Sequence, residues 1–209
     1  MADEAHPHIW EYDSTELASI LADPRQRLGL AILLDGSHPM TKRDLAVALA
    51  AEEEDSTPAD ASKAAVRRSL IHVNHLIVPK LTATGWVELH PEGIVPTDRL
   101  STTERGRWSA LLRSYDLEWE VLSTVLERPR YRRIVSILEE RSRPIAIDAL
   151  ARELLTEDRN VQTADERTLA VTLHHADLPR LDALGVLEYD RDEQTVTPLD
   201  RRIFERILQ

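Results

Sequence analysis

HLIVPKLTATGWVEL, His75 to Leu89, and HADLPRLDALGVLEY, His175 to Tyr189, are one stretch written twice, 100 residues apart. Aligned without a gap, both copies carry a histidine, then an apolar–proline–basic–leucine run (Val78 to Leu81, Leu178 to Leu181). A glycine (Gly85, Gly185), two apolar residues and a glutamate (Glu88, Glu188) follow. Proline lacks an N–H and crowds the turn before it, so Pro79 and Pro179 predict a helix that kinks or restarts. Each glycine can supply a left-handed helix cap, and the apolar pair after it opens a short strand.

The repetition extends in both directions, as a search for internal repeats requires. Upstream the offset is 105 residues: Pro24 matches Pro129, Pro39 matches Pro144, Leu45 matches Leu150 and Leu49 matches Leu154. The first helix of the first copy has Ser14 or Thr15 as its cap and Leu17, Ile20 and Leu21 as its apolar positions; Asp23-Pro24 ends it. A second apolar run follows from Arg25 to Leu34, and Glu118 to Glu139 repeats the pair around Pro129. Pro39 to Ala50 predicts a short helix capped by Thr41, matched by Ile147 to Leu155. Acidic, turn-rich loops come next, Ala51 to Lys63 and Thr156 to Glu166; across them the repeat offset falls from 105 to 100, so the first copy holds five extra residues between its second and third helices.

The third helix spans about Ser62 to Thr84, with Val66, Leu70, Val73, Ile77 and Leu81 inward. Its copy spans Ala164 to Leu184, with Leu169, Leu173, Ala176, Leu181 and Leu184 inward. Hairpins pair Trp86–Leu89 with Ile94–Thr97 and Val186–Tyr189 with Gln194–Thr197. Closing helices run from Thr102 to Tyr115 and from Leu199 to Leu208. The boundaries are a tail at 1–13, a first module at 14–115 and a second at 116–209, without a Gly/Ser or Pro-rich linker between them.

Composition narrows the function. The 209 residues carry 42% hydrophobic side chains, enough for a core, and no cysteine, which excludes disulfides, thiolate metal sites and thiol catalysis. No apolar run is long enough for a bilayer, and the opening residues lack a secretory pattern, which predicts a cytoplasmic protein without a membrane partner. The formal net charge is −11, and only Lys42, Lys63 and Lys80 among the 26 basic residues are lysine. Acidic surfaces repel nucleic acid at ordinary ionic strength. At about 1 M salt the Debye length falls to roughly 3 Å, and only the local charge of a contact face matters.

Helix, helix, kinked helix, glycine, hairpin, helix resembles the winged-helix domains of archaeal transcriptional regulators. Leu178 to Glu188 resembles the end of the recognition helix and first wing strand of ArsR-like regulators, with the pattern Leu-x-x-Leu-x-x-x-Gly. The Pro-Arg-x-Arg openings at Pro24 and Pro129 resemble haloarchaeal winged-helix proteins. The resemblance implies a mainly α fold with small β-hairpin wings: two tandem winged helix-turn-helix modules from an internal duplication. It implies transcriptional regulation by binding double-stranded DNA; the cysteine ligands of metal-sensing relatives are absent here.

A helix-turn-helix presents the N-terminal half of its recognition helix to the major groove. The candidates there are Lys63, Arg67, Arg68, His72, Asn74 and His75, with Arg167, Thr168, Thr172, His174 and His175 in the second copy. Arg and Asn match guanine and adenine edges; the alternative for all of them is a solvated, charged helix face. The acidic hairpin tips, Glu92 and Asp190-Asp192-Glu193, argue against wing insertion into a groove. Arg25, Arg27, Arg128, Arg130, Arg132 and Arg133 either clamp phosphates or pair with Glu118, Glu120, Glu139 and Glu140, and the acid-rich chain favours pairing. The recurrence of His75 and His175 suits packing rather than metal binding, and no phosphate loop, nucleophile elbow or metalloprotease motif is present. The sequence therefore predicts no enzyme, metal or cofactor. It predicts a homodimer on DNA, or else a protein-interaction adaptor of a chromosome-organisation or transcription complex, which the acidic surface also suits.

Overall fold

Asp23 shows how closely local chemistry sets this architecture. Its carboxylate accepts from the backbone N–H groups of Arg25 and Gln26 at 2.8 and 3.0 Å, capping a helix that begins at Pro24, where a missing N–H costs nothing. The computed structural model describes residues 14–36, 39–114, 118–139, 141, 143–157 and 165–198. The tail at 1–13, Glu140 and the second closing helix expected from Leu199 to Leu208 lie outside them.

The chain divides into two compact units, Met1–Trp119 and Glu120–Gln209. The first holds α1 (Ser14–Leu21), α2 (Pro24–Asp35), α3 (Lys42–Glu53), α4 (Lys63–His72), a π-helical turn (Val73–Ile77) and α5 (Val78–Ala83). The hairpin β1 (Val87–His90) and β2 (Gly93–Pro96) and then α6 (Thr102–Leu112) complete it. Next come α7 (Trp119–Glu127), α8 (Pro129–Glu139), β3 (Ile145–Ala146), α9 (Ile147–Glu157) and α10 (Glu166–Thr172). A second π turn (Leu173–Asp177), α11 (Leu178–Ala183), β4 (Leu187–Asp190) and β5 (Thr195–Pro198) end the described chain. The protein is thus mainly helical, with two small antiparallel sheets.

The prolines of the repeat neither break nor restart the third helix. Each is preceded by a π turn in which the N–H of Val78 bonds to the carbonyl of Val73, and that of Leu178 to that of Leu173, five residues back. The wider turn takes up the proline ring and its missing donor without leaving helical geometry. The extra residue also shifts the inward face. Ala176, expected inside, is exposed, and Asp177 is buried at the position of Ile77.

Both third helices end alike. Trp86 N–H reaches the Leu81 carbonyl at 2.9 Å and Gly85 N–H that of Thr82 at 3.0 Å. Val186 to Leu181 and Gly185 to Asp182 repeat this at 2.9 and 2.8 Å. These are Schellman closures, with Gly85 and Gly185 at φ 69° and 68°. Because Trp86 and Val186 serve the cap, the strands begin one residue later than the apolar pattern suggested. The pairings are Val87–His90 with Gly93–Pro96 and Leu187–Asp190 with Thr195–Pro198.

The sequence reading missed β3. Ile145 and Ala146 pair antiparallel with Val196 and Thr195, giving the strand order β3-β5-β4. The first unit makes the same contact as a single bridge between Met40 and Ile94. Gly93, at φ 148°, lies so close to this bridge that a Cβ would fall 2.7 Å from the Met40 carbonyl oxygen.

The first core is built on α2, α3 and the third helix, with Leu30, Leu45, Leu49, Ile77 and Leu81 buried. The bare Gly29 faces Ile77, whose Cγ2 would be 2.8 Å from an added Cβ. α6 seals this core through Trp108, whose ring lies 5.5 Å from that of Trp86, and through Ser109, whose hydroxyl donates to the Ala31 carbonyl. Arg113 at its end pairs with Asp35 at 2.6 Å and Glu52 at 2.9 Å. Burial pulls that guanidinium down, but Glu52 and Asp35 outweigh it and hold it above its usual range.

Two glycines should respond to alanine with opposite signs. Gly185→Ala puts a Cβ on a left-handed residue with no atom nearby and should cost about 1 kcal/mol. Gly106→Ala lies in exposed helix with open space around it and should stabilise by about 0.5–1 kcal/mol. Urea midpoints followed by circular dichroism check both.

Candidate nucleic-acid interface

The start of α4 is fixed from two sides. Ser62 caps it by accepting from Ala65 N–H at 3.1 Å. Glu54 holds Ser62 in turn, accepting from its N–H at 2.9 Å and its hydroxyl at 2.8 Å. The backbone and side-chain hydrogen bonds from Ser62, aided by Arg68, keep the Glu54 carboxyl below its usual range. From this anchored start Lys63, Arg67, Arg68 and His75 are exposed along the helix. Ile71, 56% exposed, and Leu76, 51% exposed, lie among them.

The structure separates these residues from the others expected at the site. His72 Nδ1 lies 2.9 Å from the Arg68 carbonyl, and its Nε2 lies 2.9 Å from Arg25 Nη1. The ring thus stands between a carbonyl that accepts and a guanidinium that donates. Arg25 continues the chain to Glu53 at 2.6 Å, tying α2 to α3 and α4. Asn74 spends its amide on the Leu70 carbonyl at 2.8 Å. In the second unit Arg167, Thr168 and His175 are exposed. Thr172 donates to the Thr168 carbonyl, and His174 bonds through Nδ1 to the Tyr189 hydroxyl.

Charge distinguishes the two third helices. From Ala61 to Val87 there is no acidic residue, in a chain that averages more than one in six. Over the same stretch Lys63, Arg67, Arg68 and Lys80 are basic. The second copy places Glu166, Asp177 and Asp182 in its helix. Lys42 and Arg43, at the start of α3, extend the contrast, since Ile147 and Asp148 occupy their places in the second repeat. The sequence reading missed these two; aligning the repeats at the 105-residue offset would have found them.

Several arginines of the cluster are held by structural contacts among the described residues. Arg27 and Arg132, matched positions, donate to the Leu21 and Leu126 carbonyls at the ends of α1 and α7. Burial lowers the Arg27 guanidinium, against the pull of Asp23. Arg128 lies over the Tyr131 ring and bonds its hydroxyl. Arg130 meets the buried Asp177 at 2.9 Å. Burial, then Asp177, raises the Tyr131 phenol, against Arg128 and Arg180.

In the second unit the N-termini of α9 and α10 and the hairpin tip enclose a groove of about 730 Å³. Asp148, Asp165, Glu166, Arg167, Val171, His174, His175 and Gln194 line it. Glu166 pairs with Arg152 at 3.1 Å. Among the described residues no group of three or more His, Asp or Glu is placed to hold a metal ion, and no helix is long and apolar enough to cross a membrane.

A family model described as a domain of unknown function, DUF7344, matches residues 18–95 and again 123–197. The chain belongs to the DUF7344 family. Each match covers one repeat, from its first helix to its second hairpin strand, so the duplication is one of whole DUF7344 domains. No curated protein and no solved structure matches the chain.

The ion pair inside the second DUF7344 repeat has a one-sided cost. Arg130→Met strands the Asp177 carboxylate in the core and should destabilise by about 2 kcal/mol. Asp177→Asn leaves a half-exposed arginine in water and should cost less. The two losses should sum to more than that of the double variant, a coupling that a denaturation cycle measures directly.

Proposed function

We propose that each DUF7344 repeat here is a winged helix-turn-helix module, and that the chain is a transcriptional regulator binding duplex DNA through the third helix of its first module. The strand order β3-β5-β4, with a short strand ahead of α9 joining the hairpin, supports the winged-helix reading. The observation that carries the DNA reading is the acid-free, basic stretch from Ala61 to Val87, exposed at Lys63, Arg67 and Arg68.

In this reading Arg67 and Arg68 contact base edges or phosphates in the major groove, and Lys63 contacts the backbone. Exposed Ile71 suits a thymine methyl group. Lys42 and Arg43 place positive charge on the phosphates flanking the groove, beside the N-terminus of α3. His72 and Asn74 support the helix from behind. The second module, whose third helix holds Glu166 and Asp182, contributes little to phosphate binding.

A second reading, the protein-interaction adaptor, draws on a different observation. Ile71, Leu76 and Leu89 are each more than half exposed in the first unit, as is Val171 in the second. Exposed apolar side chains suit a protein partner.

Selection from random duplex DNA at 0.15 M and at multimolar salt separates the two. An enriched motif is expected. Arg67→Ala with Arg68→Ala should weaken binding by about 30-fold or more and flatten its salt dependence; Arg167→Ala should change affinity less than about threefold. Retention of no DNA at any salt by the folded protein would transfer the function to the adaptor reading.

A further inference from the structure

The matched faces of the two repeats carry opposite charge around the same kind of apolar centre. In the first, Lys42, Arg43, Arg67 and Arg68 accompany exposed Ile71; in the second, Asp148, Asp165 and Glu166 outnumber Arg167 around Val171, which is 52% exposed, with Glu166 also held by Arg152. Ile71 and Val171 occupy one position of the repeat, and both point outward from the third helix. The second face is concave, a groove of about 730 Å³, and Gln194 on its rim directly follows the hairpin tip Asp190-Arg191-Asp192-Glu193, which is acidic on balance. Phosphate is repelled by such a rim, whereas a convex basic helix with an apolar centre meets it in both charge and shape.

We propose that the groove of the second unit receives the third-helix face of the first unit from a second copy of this chain. Ile71 of one copy then covers Val171 of the other, with Arg67 and Arg68 set against Asp148 and Glu166. The contact stands without the DNA reading. If both hold, a second copy and DNA compete for α4, so self-association regulates access to DNA.

The test is the mass of the full chain in solution, with no DNA present. Sedimentation equilibrium at 0.15 M salt should give a concentration-dependent dimer. Reversal on the basic face, Arg67→Glu with Arg68→Glu, should return monomers, as should reversal in the groove, Asp148→Arg with Glu166→Arg. Mixed together, the two reversed proteins should form a one-to-one dimer, because each then presents the partner charge the other requires. That recovery also excludes misfolding as the cause of dissociation, and circular dichroism melting of each variant gives an independent check. A wild-type chain that stays monomeric at about 100 µM overturns the proposal. So does a dimer that survives both reversals, or folded reversed proteins that ignore each other. DNA binding is measured separately, on the Arg67 and Arg68 alanine variant, so failure of the regulator reading leaves the mass measurement intact.

Discussion

Pro79 and Pro179 place one constraint on the whole architecture: a long helix must pass through a residue that cannot donate. In both repeats the helix widens by one π turn immediately before the proline, and Val78 and Leu178 bond five residues back. Interrupting the helix would have left several buried backbone groups without partners. The widened turn keeps them satisfied and rotates everything downstream by one residue. It brings Leu81 and Leu181 onto the core and delivers the chain to a glycine that can turn it sharply into the hairpin. The hairpin, the bridge to Met40 and the seat of α6 all follow from where that helix ends.

Within this shared frame the two cores have diverged in compensating ways. The first repeat has Gly29 opposite Ile77, a missing side chain making room for a branched one. The second has Ile134 at the glycine's place and buries Asp177 at the isoleucine's. The second pair is the larger, isoleucine standing in place of glycine's missing side chain; a carboxylate has also entered the core, and Arg130 answers it. Its counterpart Arg25 faces no acid on the third helix and pairs instead with His72 and Glu53. The same two arginine positions therefore tie the second helix of each unit to its third by different chemistry. The element order, more than any one contact, is common to the two repeats.

The surfaces diverged further, because no packing constrains them. One third helix is free of acid and the other contains three acidic residues, in repeats matched by the same family model. Electrostatics at a contact face are set by charges within a few ångströms, so a net charge of −11 says little about either face. The repeats thus present two differently charged surfaces on one scaffold, and this difference underlies both the DNA reading and the self-association proposed above.

Much of the fold was legible in the sequence because it rests on short-range chemistry. The caps at Thr41 and Ser62, the helix start at Pro24 and the left-handed glycines involve residues no more than a few positions apart. The doubled HLIVPKLTATGWVEL pattern announced the glycines twice. Of the proposed interface, the exposed positions of Lys63, Arg67, Arg68 and His75 follow from helical periodicity counted back from the core positions Val73 and Ile77. What escaped was non-local or broke the period. β3 is two residues long and exists only because β5 lies alongside it. Asp177 looks like surface until the π turn carries it inward, and nothing local shows that Arg25, 47 residues earlier, reaches the His72 ring. The linear chain determined where helices start and stop. Only the tertiary structure decided which polar side chains remain facing water, since that depends on partners brought from far along the chain.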